Sequence, residues 1–269
     1  MRLSARLASD ATRVFRSGRL TLALPSGEHA SAWQHPDGTV GIRAESPEGI
    51  ESVRFLLALD DDHSEFLRRF ADDPLLGRAT VVLKGLRPPR LASVAHSLLR
   101  ALCGQLVTSR EARRIERTVI RRVSRRLSSG LYEPPSAEAL GRLSAAELRS
   151  LGLHARRAAT LVRLCRGDDL ERLKELPTAA VAARLERERG LGPWSAGVVC
   201  LRGLGRYEHG LVGDLGLIKL CRALRGRPAD SADTAELLEP YGEWAGLASV
   251  YLLAAMGQGL VPVPAQKAA

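Results

Sequence analysis

From residue 91 onward, apolar residues recur at helical spacing and are interrupted only by short glycine-containing stretches. In "LASVAHSLLRALC" the apolar side chains lie three and four positions apart, which is the period of an amphipathic helix. The same spacing predicts helices at about 155–166, 178–189, 193–203, 215–225 and 244–256. Helices of this kind bury their apolar faces against one another, so residues 88–262 are predicted to form a mostly α-helical domain.

Two sequence signals mark helix starts in this part of the chain. "TSRE" from Thr108 to Glu111 and "SAAE" from Ser144 to Glu147 both have the capping-box pattern. In this pattern the first side chain bonds to a free N–H of the first turn, and the Glu bonds back. We therefore expect a helix to begin at each of them.

The first 87 residues have a different pattern. "RLTLALP" (19–25) and "ASAWQH" (30–35) resemble strands, and "PDGTVGIRAE" supplies a turn leading into another. "DDDHSEFLRRFADD" predicts one short helix, and "TVVLKGL" (80–86) a last strand. The sequence thus predicts an N-terminal α+β domain with an antiparallel sheet at 1–87, the helical domain at 88–262 and a tail at 263–269.

The charge of the chain favours a polyanionic partner. The net charge is +10 and the pI about 10.2, as expected of a protein that binds nucleic acid. Coding bias is the alternative, because only four of the 40 basic residues are lysines. The four cysteines form no C-x-x-C pair and the six histidines no ligand spacing, which argues against a zinc or iron–sulfur site. No apolar run approaches the roughly 18 residues of a membrane helix.

"GLGPWSAG" (190–197) is the sharpest break in the helical pattern. Gly190 and Gly192 end one predicted helix, and Pro193 begins the next at a first-turn position. The free N–H groups at such a helix start bind phosphate. An ordinary turn between two helices is the alternative.

A single acid follows twenty residues later in "LVGDLGLIKLCRAL", where Asp214 precedes a predicted helix. Taken alone, Asp214 is an N-cap residue. Together, however, the hairpin "ERGLGPWSAGVVCLRGLG" and "GDLGLIK" resemble the helix-hairpin-helix (HhH-GPD) DNA glycosylase superfamily over about 88–260. The chain is most similar to the bacterial 3-methyladenine DNA glycosylase II (AlkA) type, which also has an N-terminal α+β domain.

This resemblance implies a bilobal helical domain with the hairpin at 178–203, and an enzyme of base excision repair. A glycosylase rotates the damaged nucleotide out of the duplex, and a side chain fills the gap. The "GQLV" loop carries that wedge, which maps to Leu106 with Gln105 beside it; packing under the loop is the alternative for Leu106. Asp214 maps to the catalytic carboxylate, which stabilises positive charge on the sugar. The further DNA contacts map to Arg189, Gly190, Leu191, Gly192 and Ser195.

The resemblance also implies a pocket and a reaction type. Trp194 and Trp244 would offer indole faces to a cationic alkylated purine such as 3-methyladenine or 7-methylguanine. Tyr241 is a further candidate for the pocket, and Val198 stands where the family has an aromatic residue. This departure, with Arg189 in place of a Pro and Ala245 and Gly246 in place of Arg-Ser, leaves hypoxanthine or another deaminated base as an alternative substrate.

Trp194 occupies the position of the nucleophilic Lys of bifunctional members, so the resemblance implies hydrolysis without lyase activity. No cofactor is expected apart from a structural Na⁺ or K⁺ on the backbone carbonyls of Glu186, Glu188 and Leu191. The expected partner is double-stranded DNA containing damaged bases, with no membrane, for a monomer in the cytoplasm at the nucleoid. A non-catalytic helix-hairpin-helix DNA-binding protein and an unrelated Arg-rich helical fold remain alternatives.

Overall fold

The computed structural model describes residues 3, 7, 10–167 and 170–261 of the 269-residue chain. Within them a small antiparallel sheet comes first, and helices make up most of the chain after it. This order confirms the predicted succession of an α+β segment and a mostly helical segment. The tail predicted at 263–269 lies outside the described residues.

The sheet has four strands in chain order, each antiparallel to the next: β1 (Arg13–Arg16), β2 (Arg19–Ala23), β3 (His29–Gln34) and β4 (Val40–Arg43). Successive residues of a strand point to opposite faces, and on β2 Leu20 and Leu22 are buried. Helix α1 (Pro47–Leu56) begins at the N-cap Ser46 and buries Val53 against the same apolar cluster. The strands predicted around 19–25 and 30–35 are therefore confirmed.

The strand predicted at 80–86 is wrong, because the chain is helical there. Helices α2 (Ser64–Arg69) and α3 (Gly77–Val82) precede the linker to the helical part. The N–H groups of Thr80 and Leu83 bond to carbonyls four residues back, at 2.8 Å each, and so need no partner strand. Phe66 of α2 packs against Tyr251 near the C-terminus, with ring centroids 4.9 Å apart. The domain limit at residue 87 stays a prediction.

The next six helices are α4 (Val94–Gly104), α5 (Ser109–Val123), α6 (Ala137–Gly141), α7 (Ala145–Ser150), α8 (Ala155–Arg166) and α9 (Thr178–Glu186). The capping box at Ser144 is confirmed, with both of its hydrogen bonds formed. At Thr108 only half of it is described: the hydroxyl caps the Glu111 N–H, while the Glu111 carboxylate bonds to Arg114. A 3-10 helix (Leu170–Glu175) stands between α8 and α9.

The remaining helices are α10 (Pro193–Val198), which continues as a π-helix (Val199–Leu204), α11 (Leu215–Arg225), α12 (Ser231–Leu238), a 3-10 helix (Glu239–Trp244) and α13 (Ala245–Met256). Helix α12 was not predicted, and α9 ends three residues earlier than the predicted 189. No helix of the described part of the chain is both long and apolar enough to cross a bilayer.

The helical part has two buried apolar clusters. The first cluster draws on α4, α5, α8 and α9, and the second on α2, α3, α11 and α13. The helix that begins at Pro193 contributes to both, through Ala196 to the first and Val198 to the second. The segment after the glycine bend therefore lies where the two clusters meet.

Candidate active site

An open cleft of about 1450 Å³ runs along the segment where the two clusters meet. Its walls are the loop between α4 and α5, the first turns of α10 and the loop that leads into α11. Seven of the residues predicted for the site line it together, namely Gln105, Leu106, Gly192, Trp194, Ser195, Val198 and Asp214. Residues that are far apart in the sequence are thus brought to one place.

Asp214 is the N-cap of α11, and its carboxylate is held from two sides. Oδ1 accepts the Gly216 N–H at 2.8 Å, as a capping side chain does. Oδ2 accepts the indole N–H of Trp194 at 2.9 Å. The carboxylate is therefore fixed in orientation at the positive end of a helix dipole, and it faces the cleft.

Trp194 owes its position to a glycine on another helix. Gly104 is the last residue of α4, and a Cβ at this position would lie 2.8 Å from Cη2 of Trp194. A larger residue there would displace the indole ring. No pattern in the sequence indicated this contact between α4 and α10.

The bend between α9 and α10 is held by its backbone. Gly190 has a φ of +96°, a conformation that favours glycine, and the Leu191 N–H bonds to the Glu188 carbonyl at 3.0 Å. The Thr160 hydroxyl donates to the Arg189 carbonyl at 2.9 Å, which ties the bend to α8. A Cβ at Gly192 would meet no atom within 4 Å, so an approaching strand would have open access there.

Three of the residues predicted to contact DNA have side chains that are engaged inside the protein. The Leu191 side chain is buried in the first cluster. Ser195 is 2% exposed, and its hydroxyl accepts a hydrogen bond from Gln105 at 3.0 Å. Gln105 also donates to the Gly190 carbonyl at 2.9 Å. The Gln105 amide thus connects the α4–α5 loop to the bend instead of pointing into open solvent, whereas the Arg189 side chain is exposed.

The Leu106 side chain is exposed to solvent and does not pack against the core. Its side chain is 85% exposed at the mouth of the cleft, and its φ of +53° lies in the left-handed region. This backbone conformation is costly for a residue with a Cβ. Val107, by contrast, packs against the first cluster. Packing under the loop, the alternative considered for Leu106, is therefore not what the structure shows.

The structure does not bring Tyr241 and Trp244 to the walls of this cleft, and their role in the pocket stays a prediction. Tyr241 is buried against Phe70 and its hydroxyl donates to Asp73 at 3.3 Å. Trp244 packs on Phe66, with ring centroids 5.8 Å apart. Neither lines the cleft. Both rings pack in the second cluster, where Phe66 of α2 contacts Trp244 and Phe70 contacts Tyr241.

Basic residues that sequence reasoning missed also line the cleft. These are Arg100, Arg113, Arg202 and Lys219, whereas Asp214 is the only carboxylate among the described residues of its walls. Burial, together with the charges of Arg100, Arg13 and Arg113, lowers the pKa of Arg202 to about 10. Arg100 is engaged by two buried carboxylates, but Arg113, Arg202 and Lys219 still leave the walls with more positive than negative charge. No period or motif in the sequence singled out these positions.

Arg100 is part of a buried ionic cluster behind the cleft. Its guanidinium bonds to Glu116 at 2.6 Å and to Asp10 at 2.9 Å. His96 lies beside the same two carboxylates, and the ligand atoms of these three residues are within 4.8 Å of one another. Arg100 and the nearby Arg13 together balance the two negative charges, so the cluster works as an ion-pair network between the N-terminal segment and the helical part.

The chain thus combines a glycine-bend hairpin, a helix-capping aspartate that faces the cleft and a small antiparallel sheet. The chain is 24% identical over 215 residues to a DNA-3-methyladenine glycosylase of Bacillus subtilis, covering 76% of this chain and 71% of that one. No family model matches the chain.

Solved structures share the fold over nearly the whole chain. A 3-methyladenine DNA-glycosylase from Archaeoglobus fulgidus matches with a TM-score of 0.78 at 21% identity, covering 92% of this chain and 90% of that one. A Clostridium acetobutylicum 8-oxoguanine glycosylase/lyase bound to double-stranded DNA matches with a TM-score of 0.79 at 19% identity, covering 94% and 90%. The resemblance to the superfamily is confirmed at the level of the fold.

Proposed function

We propose that the chain is a monofunctional DNA glycosylase, which hydrolyses the N-glycosidic bond of a damaged purine and leaves an abasic site. The observation that carries this proposal is the Asp214 carboxylate, fixed by the Trp194 N–H at 2.9 Å in an electropositive cleft. The two clusters would be the cores of two lobes, with the cleft between them. The names of the similar proteins support the same class of reaction.

The proposed reaction uses the cleft in two steps. The target nucleotide leaves the stack, at a cost of a few kcal/mol, and Leu106 enters the gap. As the bond between base and sugar breaks, positive charge develops on the sugar beside the Asp214 carboxylate. A fixed negative charge stabilises this transition state without reorganisation, and the same carboxylate orients the attacking water.

The bend would hold the damaged strand. The backbone at Gly192 faces open space, which allows the close approach of a strand, and the exposed Arg189 side chain adds a positive charge. Gln105, Leu191 and Ser195 would act by shaping the bend from inside, as their contacts support.

We propose hydrolysis without lyase activity. By the resemblance, Trp194 occupies the position at which bifunctional members of the superfamily have a nucleophilic Lys. Lys219 is a second amine to consider, because it also lines the cleft, and a trapping experiment tests whether it forms a Schiff base. Borohydride reduction during turnover should trap no protein–DNA adduct, and a Lys219→Gln variant serves as the matched control. An adduct that disappears in this variant would assign a Schiff base to Lys219.

Alkylated purines are the first substrate candidates, because the Trp194 indole attracts a cationic base. One observation favours the second candidate, a deaminated purine such as hypoxanthine. Tyr241 and Trp244 are absent from the cleft walls, and Val198 is present, so the walls are less aromatic than the resemblance implied. A panel of duplexes carrying 7-methylguanine, hypoxanthine, 8-oxoguanine or no lesion tests the function and ranks these substrates. No base release from any of them would leave only a DNA-binding module.

A monovalent cation at the bend is part of the proposal, on the carbonyls of Glu186, Glu188 and Leu191. Helix α9 ends at Glu186, where backbone carbonyls lack intrahelical partners. The Glu188 carbonyl accepts one hydrogen bond and keeps a second lone pair. The midpoint of thermal unfolding should be higher in KCl or NaCl than in tetramethylammonium chloride at equal ionic strength.

We propose that the protein works as a monomer on duplex DNA in the cytoplasm.

A further inference from the structure

Helix α5 carries a row of four arginines along one face. Arg110, Arg113, Arg117 and Arg121 follow one another at intervals of three, four and four residues, which puts them on one side of a helix. Arg110, Arg113 and Arg121 are exposed, and Arg117 is partly so. The opposite side of the helix packs into the first cluster. The row therefore faces outward as a unit.

The charges of this row are not neutralised within the described residues. Other arginines of the same helix have acidic partners: Arg114 bonds to Glu111 at 2.7 Å, and Arg122 lies 3.7 Å from Glu147. No described carboxylate lies within 4.0 Å of the four guanidinium groups of the row. Like charges at these spacings destabilise a helix. Coding bias explains the number of arginines, but it does not explain why the acidic partners lie beside other arginines of the helix and not beside these four.

The row is continuous with the cleft. Its first member comes four residues after Leu106, and Arg113 lines the cleft together with Asp214. From Arg110 to Arg121 a helix rises by about 17 Å. This length matches roughly five base pairs of duplex along one strand. The positive charge in the cleft thus continues along α5.

We propose that Arg110, Arg113, Arg117 and Arg121 form a second phosphate-binding surface, which holds a sugar–phosphate strand of duplex DNA beyond the wedge. This proposal rests on the proposed function for the identity of the polyanion. The protein would then contact the duplex at two places, the bend and the arginine row. Such contacts position the duplex without reading its sequence.

The test is the salt dependence of binding to an undamaged duplex, measured by fluorescence anisotropy. Each phosphate contact contributes about 0.9 to the slope of log K against log salt concentration. Arg117→Gln with Arg121→Gln should therefore flatten the slope by about 1.8, which is roughly a twelvefold smaller loss of affinity between 50 and 200 mM salt. These two positions are chosen because neither of them lines the cleft.

Two further variants complete the experiment. Arg122→Gln with Arg142→Gln removes the same charge from arginines that are paired with Glu147 and Glu138, and should leave the slope unchanged. Arg117→Lys with Arg121→Lys keeps the charge and should restore the slope. An unchanged slope in the first variant, or an equal change in the paired control, would overturn the proposal.

The proposed function and the arginine surface can fail separately. If the unaltered protein releases no base but the row variant flattens the slope, the surface is retained and the glycosylase assignment is lost. If base is released and the slope does not respond, the glycosylase assignment is retained and the surface is lost.

Discussion

Truncating Leu106 should separate the stability of the protein from its activity. The side chain is 85% exposed, so shortening it removes almost no buried surface. Leu106→Ala should leave the free energy of unfolding unchanged, whereas a Leu packed in a core would lose about 2–5 kcal/mol. Leu106→Gly should leave it unchanged or raise it slightly, because glycine tolerates the φ of +53° found there.

The rate of base release, in contrast, should fall when Leu106 is truncated. Burying a Leu side chain contributes about 1.5–3 kcal/mol, and the exposed Leu106 has nearly all of this available for insertion into the duplex. Losing it should slow base release roughly 10- to 150-fold. The loss should shrink when the lesion lies opposite a gap or mismatch, where extrusion is already easy.

The assay is single-turnover base release from a paired and a mismatched lesion duplex, beside urea unfolding of each variant. Val81→Ala is the matched control, because Val81 is 73% exposed on α3, outside the cleft, and should change neither quantity. A loss of more than about 2 kcal/mol of stability in Leu106→Ala, the range of core truncations, would refute the reasoning. Unchanged base release from the paired duplex would refute it equally.

Three further predictions concern contacts of the site and of the ionic cluster behind it. Trp194→Phe removes the hydrogen bond to Asp214, and since bonds to charged groups contribute about 1.5–3 kcal/mol, single-turnover base release should fall roughly 10- to 150-fold. Gln105→Ala frees the bend and should weaken DNA binding, measured by anisotropy, without lowering the midpoint of thermal unfolding by more than a few degrees. Burial raises the pKa of Asp10, but Arg13, His96 and Arg100 outweigh it and hold that pKa well below 3.8. The stability that this ion pairing provides is present above pH 3.8 and is lost as the pH falls below it, so urea unfolding at pH 2–5 should show a steeper loss for the unaltered protein than for Asp10→Asn.

The elements that the sequence predicted well are those with local causes. The start of α11 follows from Asp214, whose side chain caps two N–H groups within three residues. The capping box at Ser144 and the bend at Gly190 likewise depend on neighbours in the chain. For this reason the hairpin and the position of the acid could be inferred before any coordinates.

The features that the sequence did not predict depend on contacts between distant residues. The Trp194–Asp214 hydrogen bond spans 20 positions, and the Gln105–Gly190 bond spans 85. Tyr241 and Trp244 were assigned to the pocket from the resemblance, and no local pattern indicated their contacts with Phe70 and Phe66. Helical period indicates which face of a helix is buried, but not which other element covers it.

The most direct test of the account is base release by Asp214→Asn, set beside its DNA affinity. The amide keeps the shape of the side chain and a carbonyl oxygen that can cap α11, but it removes the negative charge from the cleft. We expect release from lesion duplexes to fall at least about a hundredfold, with the dissociation constant for an undamaged duplex within about threefold of the unaltered protein. Release that continues at a comparable rate in the variant would contradict the assignment of Asp214 as the group that stabilises the sugar cation.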